Sequence, residues 1–525
     1  MKTSNIDLII GSMLWLSEYP SEGAKRFPEK NAIVCENSRL SYSELDRFSN
    51  NFAGYLGENG FKPGSRVAYL GKNSEMLFPV LFGCIRAGVV LVPMNWRCAA
   101  PEIGFMLQDS GTTLLLTDEE FLDKVKVAIS SLENPPILIL TNSIKIDHNI
   151  TTLRTVLRNQ IVNKHRWEET VNECALLMYT SGTTGKPKGV MLSHKSLSIA
   201  RHIEIDSPDW ADWHNTDVIL SPMPNFHIGG LSWMFIGLRR GLTCVLTADA
   251  SPANILDLIE HHKITRVFIV PTVIRALLDL VINNRKKPPR IATILYGAAA
   301  MDVTLLTKSI DTFGCQFGQF FGMTENCGTV TFLPPISHDK NRPDLLLSVG
   351  KALPLMEIEI RNPDMKPCVT RTPGEIWIKS PTLMLGYWNN AKESNNVLLD
   401  NWYRSGDGGY LDEEGYLYLT DRIKDMIISG GENIYPIEVE VALRRHQAVR
   451  DVVVVGRSDP TWGEIVTAVI EWNDNQSATL EELRETAEKY IASYKLPKEM
   501  HCVTTLPRTA TGKLQRSIVK SNLKK

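Results

Sequence analysis

Two hydrophobic patterns alternate along the chain: short unbroken apolar runs, and longer stretches with helical periodicity. Ala32–Cys35 is a short apolar run and predicts a strand. Ser41-Tyr-Ser-Glu44 then has the spacing of a capping box. It opens a predicted helix with Leu45, Phe48, Phe52, Tyr55 and Leu56 on its apolar side, closed by Gly60. Arg66–Leu70, a helix over Ser74–Ala87 and the run Val89–Val92 predict a β-α-β unit. Pro101–Gln108 reads as the next helix, and Thr113–Thr117 as the next strand. Such alternation predicts parallel sheets covered by helices. The apolar stretch Met76–Met94 is broken by Arg86, so it reads as a helix entering a buried strand and not as a membrane span. Residues 141–170 are polar and read as a surface excursion. Past residue 423 the rhythm changes. A helix over Ile437–Arg445, strands at Val452–Val455 and Val466–Glu471, a helix over Leu480–Ile491 and a strand near Cys502 predict a small α+β domain.

Composition narrows the class. A chain of 525 residues exceeds one hydrophobic core, so two or more domains are expected. Hydrophobic content of 43% and charged content of 22% suit a globular protein. A net charge of −2 argues against nucleic-acid or polybasic membrane binding. The nine cysteines form no Cys-x-x-Cys pair, which predicts reduced thiols, a cytoplasmic protein and no zinc site. The N-terminal apolar run is interrupted by Asp7 and lacks a small-residue cleavage site, so it is not read as a signal peptide. No transmembrane segment is expected; peripheral membrane contact is left open.

One stretch cannot pack as core. Tyr179–Val190 (YTSGTTGKPKGV) holds three glycines, five hydroxyl side chains and two lysines, directly after the apolar run Ala175–Met178. Gly182 and Gly185 free the backbone, Thr180, Ser181, Thr183 and Thr184 supply hydroxyls, and Lys186 and Lys188 supply charge. A strand followed by such a loop can wrap a phosphate. The glycine spacing and Pro187 exclude a Walker A loop.

Further strings follow in order. Pro222–Gly230 brackets Phe226 and His227 with prolines and glycines, as a shaped loop requires. Leu295–Met301 places Tyr296, Gly297, Ala298 and Ala299 after a predicted strand at Ile291–Leu295, where small residues let a flat ring approach the backbone. Gln319, Phe320, Phe321, Gly322, Thr324 and Glu325 lie in one run, and Glu325 offers a hard oxygen ligand suited to Mg²⁺. Trp402–Asp407 ends in a carboxylate able to accept two hydrogen bonds from a diol. Asp412–Gly415 reads as a hairpin turn. A charged run from Asp421 leads to Gly430 and Gly431, and a glycine next to Lys513 puts that ammonium on a tight turn near the end of the chain.

These motifs, spanning residues 179–516, resemble those of the adenylate-forming superfamily, which includes acyl-CoA synthetases, adenylation domains of peptide synthetases and firefly-type luciferases. The acyl-CoA synthetase (fatty-acid–CoA ligase-like) branch fits best. The resemblance implies an α/β fold: a large N-terminal region of mixed and parallel sheets covered by helices (residues 1–421) that binds ATP and the acyl group, a hinge at 422–425 and a small mobile α+β domain at 426–525. By residue-wise matching, Thr180–Lys188 bind the ATP phosphates, and Thr180 and Glu325 hold the metal. Gly297–Ala299 and Gln319–Gly322 flank the nucleotide, with Phe321 in place of the usual Tyr, so that stacking on adenine survives without a phenol hydrogen bond. Thr324 bonds phosphate. Asp407 and Arg422 contact ribose. His227, Tyr296, Gly297 and Gly322 border the acyl pocket, and Ile228 and Trp233 help size it. Lys424 is the hinge, Gly430 and Gly431 border the coenzyme A tunnel, and Lys513 bridges the substrate carboxylate and the α-phosphate. Lys513, Glu325, Thr324 and His227 form the implied catalytic set. The Asn95-Trp-Arg97 turn also matches the family and is given no chemistry.

The implied reaction activates a carboxylic acid with ATP and Mg²⁺ as acyl-AMP, then passes the acyl group to coenzyme A, releasing AMP and pyrophosphate. A medium- or long-chain fatty acid is the first choice of substrate and an aryl acid the second. Phe226-His227 stands where amino-acid-activating domains place an Asp, which favours an acid without an α-amino group. One alternative is an adenylation enzyme loading an acyl carrier protein in trans, since only nine residues follow Arg516 and no carrier is fused. A luciferase-type oxygenase and a non-catalytic paralogue are weaker readings.

Overall fold

The structure, a computed structural model, describes residues 9–142, 150–159, 173–180, 187–206, 213–283, 287–299, 301–420, 425–429, 432–459, 462–491, 493–508 and 514–523. Four sheets organise them. An eight-stranded sheet runs in the order Gly386–Tyr387, Lys188–Ser193, Cys174–Thr180, Val90–Met94, Arg66–Leu70, Leu114–Thr117, Ile137–Leu140 and Thr151–Thr152. Its pairings are parallel from Cys174–Thr180 to Thr151–Thr152 and antiparallel at the other edge. A nine-stranded sheet has a parallel centre, Gln316–Met323, Thr293–Gly297, Arg266–Ile269, Val218–Ser221, Thr243–Leu246 and Asn31–Cys35. Antiparallel strands finish both of its edges.

Strand alternation explains how these sheets are covered. In the nine-stranded sheet Ile219, Cys244, Phe268 and Leu295 face a first core, while their neighbours Leu220, Val245, Val267 and Ile294 face a second. In the eight-stranded sheet Val67, Leu91 and Leu114 join the same first core, and Ala68, Val92 and Leu115 join a third. The first core is therefore shared by both sheets and contains buried residues of the helices Tyr42–Glu58, Leu77–Arg86 and Ile228–Arg240. The expected capping box is present: the Glu44 N–H donates to Ser41 Oγ at 3.2 Å, and the Ser41 N–H donates to Glu44 Oε2 at 2.9 Å.

A third, antiparallel sheet of Glu357–Arg361, Gly374–Lys379, Trp402–Leu411, Leu398–Leu399 and Leu417–Leu419 was not legible as a unit; only the turn at Gly415 (φ 83°) was foreseen. The fourth sheet pairs Glu432–Ile434, Ile427–Ser429, Gly463–Trp472, Val449–Asp459 and Glu499–Val503. It packs the helices Pro436–Leu443 and Leu480–Glu488 on a core drawn only from residues 427–500. Its central strands outrun the expected ones because pairing continues past the apolar centre through Asp451, Arg457 and Ser458. The surface excursion expected over residues 141–170 needs correction. Leu153–Arg158 is a helix whose Leu153, Val156 and Leu157 are buried, and Asn51 Nδ2 donates to the Leu157 carbonyl at 2.7 Å. Among the described residues no helix is long and apolar enough to cross a membrane.

Candidate active site

The glycine-rich stretch is flanked by two strands that pair with each other. Cys174–Thr180 is a strand buried at Ala175–Met178, and it pairs antiparallel with Lys188–Ser193 so that Thr180 stands opposite Lys188. Ser181, Gly182, Thr183, Thr184, Gly185 and Lys186 lie outside the described residues. At the base of the hairpin the Lys188 ammonium pairs with Glu393 and sits 5.2 Å from the centroid of the Tyr387 ring. The Tyr387 hydroxyl donates to Glu325 Oε1 at 3.0 Å, and Tyr403 is a second buried phenol of the site. The lysine expected at the phosphates and the carboxylate expected at the metal, far apart in sequence, thus meet through one tyrosine. Burial, with the Glu325 carboxylate next, pushes both phenols above the ordinary tyrosine range, so both are neutral donors.

Glu325 sits on a tight turn. The strand Gln316–Met323 ends in a 3-10 turn, Thr324–Asn326; Cys327 (φ 56°) and Gly328 (φ 121°) then reverse the chain into Gly328–Leu333. A Cβ on Gly322 would overlap the Gly328 carbonyl, because a bulge presses the two strands together there. That close backbone approach is a sufficient reason for glycine at 322, apart from any acyl chain. Behind the turn lies a buried ion pair: Arg201 Nε is 2.8 Å from Glu204 Oε2, and the side chains are 0% and 1% exposed. Arg201 Nη2 also donates to the Cys327 carbonyl at 2.8 Å and to Glu204 Oε1 at 3.0 Å. Burial raises the Glu204 carboxyl, and the facing guanidinium opposes that rise. On the other side the Met384 N–H donates to the Glu325 carbonyl at 2.8 Å, and Thr382 Oγ1 donates to Asn326 Oδ1 at 3.1 Å.

The nucleotide-flanking residues divide by strand parity. Tyr296 is fully buried in the second core, its hydroxyl 3.2 Å from Gln319 Oε1 and 3.1 Å from His338 Nε2. This corrects the expectation that Tyr296 lines an acyl pocket: its ring is committed to packing with Phe317 and His338. Gln319 is held by Tyr296, and Phe320 packs against Phe268 (5.5 Å) and Phe332 (4.9 Å), so those two side chains face protein. Phe321, Gly322, Thr324 and Glu325 remain partly exposed. Gly297 is forced by the neighbouring strand, since a Cβ would overlap the Phe320 carbonyl. Ala298 then takes φ 64°, a costly conformation for a non-glycine residue, at the end of Thr293–Gly297; Ala299 is partly exposed.

His227 precedes the helix Ile228–Arg240 as its N-cap residue, half-buried, with its ring 4.5 Å from that of Phe226. Ile228 is buried beside it. Trp233, expected to size the pocket, is instead core: its indole N–H donates to the Leu220 carbonyl at 3.0 Å and its ring lies 6.1 Å from Phe268. Gly229 is more open, and a Cβ there would meet Phe268 Cε1 at 3.3 Å. Ala298, Phe321 and Met323 pack partly buried against this same core, so they and Gly229 are better wall candidates.

Asp407 lies on Trp402–Leu411 with its N–H donated to Ser405 Oγ at 3.1 Å. Its charge, like that of Glu325, helps raise the Tyr403 phenol, after burial. Arg422, Lys424, Gly430, Gly431 and Lys513 lie outside the described residues. On either side of residues 509–513, Arg508 pairs with Leu514 and the Gln515 N–H donates to the Pro507 carbonyl at 2.9 Å. Ion pairs Arg508–Asp451 and Arg516–Glu440 fix these flanks to the fourth sheet. Tyr387, Tyr403, Glu393, Arg201 and Glu204 were missed by sequence reasoning. Tyr403 sits within the Trp402–Asp407 string but was given no role there; the others lie outside the strings singled out, and only tertiary contact reveals them.

The donor set fits Mg²⁺. Glu325 supplies a carboxylate and Thr180 a hydroxyl, both hard oxygens. Among the described residues no group of three or more His, Cys, Asp or Glu could hold a metal by itself. That suits an ion held by one or two protein oxygens together with substrate phosphates.

Residues 21–388 match the AMP-binding enzyme family, and residues 438–513 match the AMP-binding enzyme C-terminal domain. The chain belongs to the AMP-binding enzyme family, on its acyl-CoA synthetase branch, and is an AMP-forming ligase. It is 35% identical to a fatty acid–acyl-carrier-protein ligase from Streptomyces coeruleorubidus, over 94% of this chain and 93% of that protein. It is 32% identical to an indoleacetate–CoA ligase from Aromatoleum aromaticum, over 96% of this chain and 97% of that one. The solved structure of Bacillus subtilis O-succinylbenzoate coenzyme A synthetase, in complex with ATP and magnesium ion, superposes with a TM-score of 0.82 at 30% identity, covering 97% of this chain and 99% of that one.

Proposed function

We propose that this enzyme activates a carboxylic acid without an α-amino group, a medium- or long-chain fatty acid first and an aryl acid second, and transfers it to the thiol of coenzyme A. The observation that carries the reading is the junction of Lys188, Tyr387 and Glu325, which sets a cation at the phosphate hairpin beside a hard-oxygen ligand. In the first half-reaction a carboxylate oxygen attacks the α-phosphorus of ATP, and the bond to the bridging oxygen breaks, releasing pyrophosphate. In the second, the thiol sulfur attacks the acyl carbon, the bond to AMP breaks, and the thiol proton passes to solvent. Such chemistry needs positioning and charge neutralisation more than covalent help.

Each residue has an assigned task. The hairpin loop 180–188 binds the β- and γ-phosphates, and Thr324 donates to phosphate. Asp407 and Arg422 hold the ribose. Phe321 and the backbone at Gly297–Ala299 flank adenine. His227 borders the acyl group. Glu325 and Thr180 would hold Mg²⁺, which would supply charge neutralisation on the phosphates. Lys513 stabilises the charge that develops between carboxylate and α-phosphate. Residues 1–421 act as the substrate-binding body and 426–525 as a moving domain on a hinge at 422–425, presenting Lys513 in one half-reaction and Gly430–Gly431 in the other. Nine free thiols and the need for ATP and coenzyme A support a cytoplasmic location.

A second reading, transfer to an acyl carrier protein in trans, is supported by the 35% identity to a ligase of that kind. Measuring AMP release and thioester formation over a panel of acids, with coenzyme A, with a phosphopantetheinylated carrier and with neither, separates the two. Thioester formed only on the carrier selects the second reading.

A further inference from the structure

Tyr387 lies where three separate segments converge. Its short strand is zipped onto the edge of the phosphate hairpin: Tyr387 pairs with Val190, the Leu385 N–H donates to the Met191 carbonyl at 2.9 Å, and the Trp388 N–H donates to the Gly189 carbonyl at 2.7 Å. Just before it, the Met384 N–H donates to the carbonyl of Glu325 itself. The backbone of 384–388 therefore ties the hairpin to the Glu325 turn, and the Tyr387 side chain repeats that tie.

Little freedom remains in the phenol. The ring is 6% exposed, and the Tyr387 N–H is held by Ser394 Oγ at 2.8 Å. The Tyr387 hydroxyl donates to Glu325 Oε1 at 3.0 Å. A carboxylate with one oxygen held by a fixed donor cannot rotate about its last torsion without losing that bond. The same ring sits beneath the Lys188 ammonium. Groups behind a metal ligand set its orientation and commonly govern affinity as strongly as a ligand does.

We propose that Tyr387 is a positioning residue for the metal–nucleotide complex: it anchors Glu325 through Oε1 so that the other carboxylate oxygen is offered to the metal. The proposal rests on Glu325 as metal ligand, so its test carries Glu325→Gln as a control.

The experiment titrates Mn²⁺ into the full-length protein with a non-hydrolysable ATP analogue and reads free Mn²⁺ by electron paramagnetic resonance. Metal-free AMP binding is measured in parallel by calorimetry. Tyr387→Phe removes one oxygen and is expected to weaken Mn²⁺ binding by about 10- to 100-fold. AMP affinity is retained, and excess metal restores analogue binding. Wild-type Mn²⁺ affinity in Tyr387→Phe, alongside a loss in Glu325→Gln, overturns the role of Tyr387 and leaves the metal assignment standing. Parallel loss of AMP and Mn²⁺ binding that excess metal does not restore marks Tyr387 as merely structural and also overturns it. Undiminished Mn²⁺ binding in Glu325→Gln removes the metal assignment and the proposal with it.

Discussion

Arg201 donates to the Cys327 carbonyl across 2.8 Å of fully buried space, and through that bond a helix on one side of the molecule fixes the turn that carries Glu325. Glu204 pairs with the same guanidinium. Two charges this deep are costly to desolvate, and removing one strands the other.

Arg201→Met or Glu204→Leu alone is therefore expected to destabilise the protein by about 3–5 kcal/mol, whereas the double variant recovers most of that loss. Chemical denaturation of the three variants checks the order. A double variant less stable than both singles would show that the stranded charge is not what makes the single substitutions costly.

Gly322→Ala places a methyl group into the Gly328 carbonyl, so the two strands must part at the metal turn. Overpacking of this kind costs about 1–3 kcal/mol. The displaced turn should also raise the Mg²⁺ concentration needed for half-maximal adenylation. A Gly322→Ala enzyme with wild-type stability and Mg²⁺ response would show that the close approach relaxes freely.

Lys513→Ala should lower adenylation by about 10²–10³, the usual effect of removing a charge aimed at a developing oxyanion. Thiolation of supplied acyl-AMP should survive. Gly431→Leu should do the reverse by filling the pantetheine path. Lys424→Pro fixes φ at the hinge and should leave one half-reaction and stop the other. Single-turnover assays of each half-reaction check all three. Equal losses in both half-reactions for Lys513→Ala would remove the division of labour.

His338 gives a pH signature. Burial lowers its pKa to about 4, although its bond to the Pro334 carbonyl pulls the other way. The unfolded chain, with an ordinary value of 6.5, takes up the proton first as pH falls. Stability is thus full above pH 6.5 and is lost progressively between 6.5 and about 4, by about 3 kcal/mol for this residue. His194, also lowered to about 4 by burial, adds to the same slope. His338→Gln should flatten the fall of Tm with pH across that window, measured by calorimetry. An unchanged slope would place the titration elsewhere.

How much was legible depended on which forces wrote the pattern. Local forces were readable: the Ser41–Glu44 capping box, the strand Arg66–Leu70 and the strand before the phosphate loop all stand where the sequence put them. Pairing between distant segments was not readable. Leu153–Arg158 is short and sits in polar sequence, and it is helical because the helix Tyr42–Glu58 offers it a face and Asn51 a bond. The same limit governed the site. Glu325 and Asp407 stand out as charges in glycine- and serine-bearing strings, but a strand buries alternate side chains. Tyr296, Gln319 and Phe320 were thus named with the site although their side chains turn into protein. Tyr387 was overlooked because its role exists only once Gly386–Tyr387 joins the edge of the hairpin.

Adenylation of a carboxylic acid at the junction of Lys188, Tyr387 and Glu325 can be read without the second half-reaction. The decisive assay is exchange of labelled pyrophosphate into ATP, run with Mg²⁺ and without any thiol. Exchange is expected only when a suitable carboxylic acid is present, with a thioester and AMP appearing once coenzyme A or a carrier is added. Exchange that proceeds without acid, or release of ADP and phosphate in place of AMP and pyrophosphate, would refute adenylation at this site.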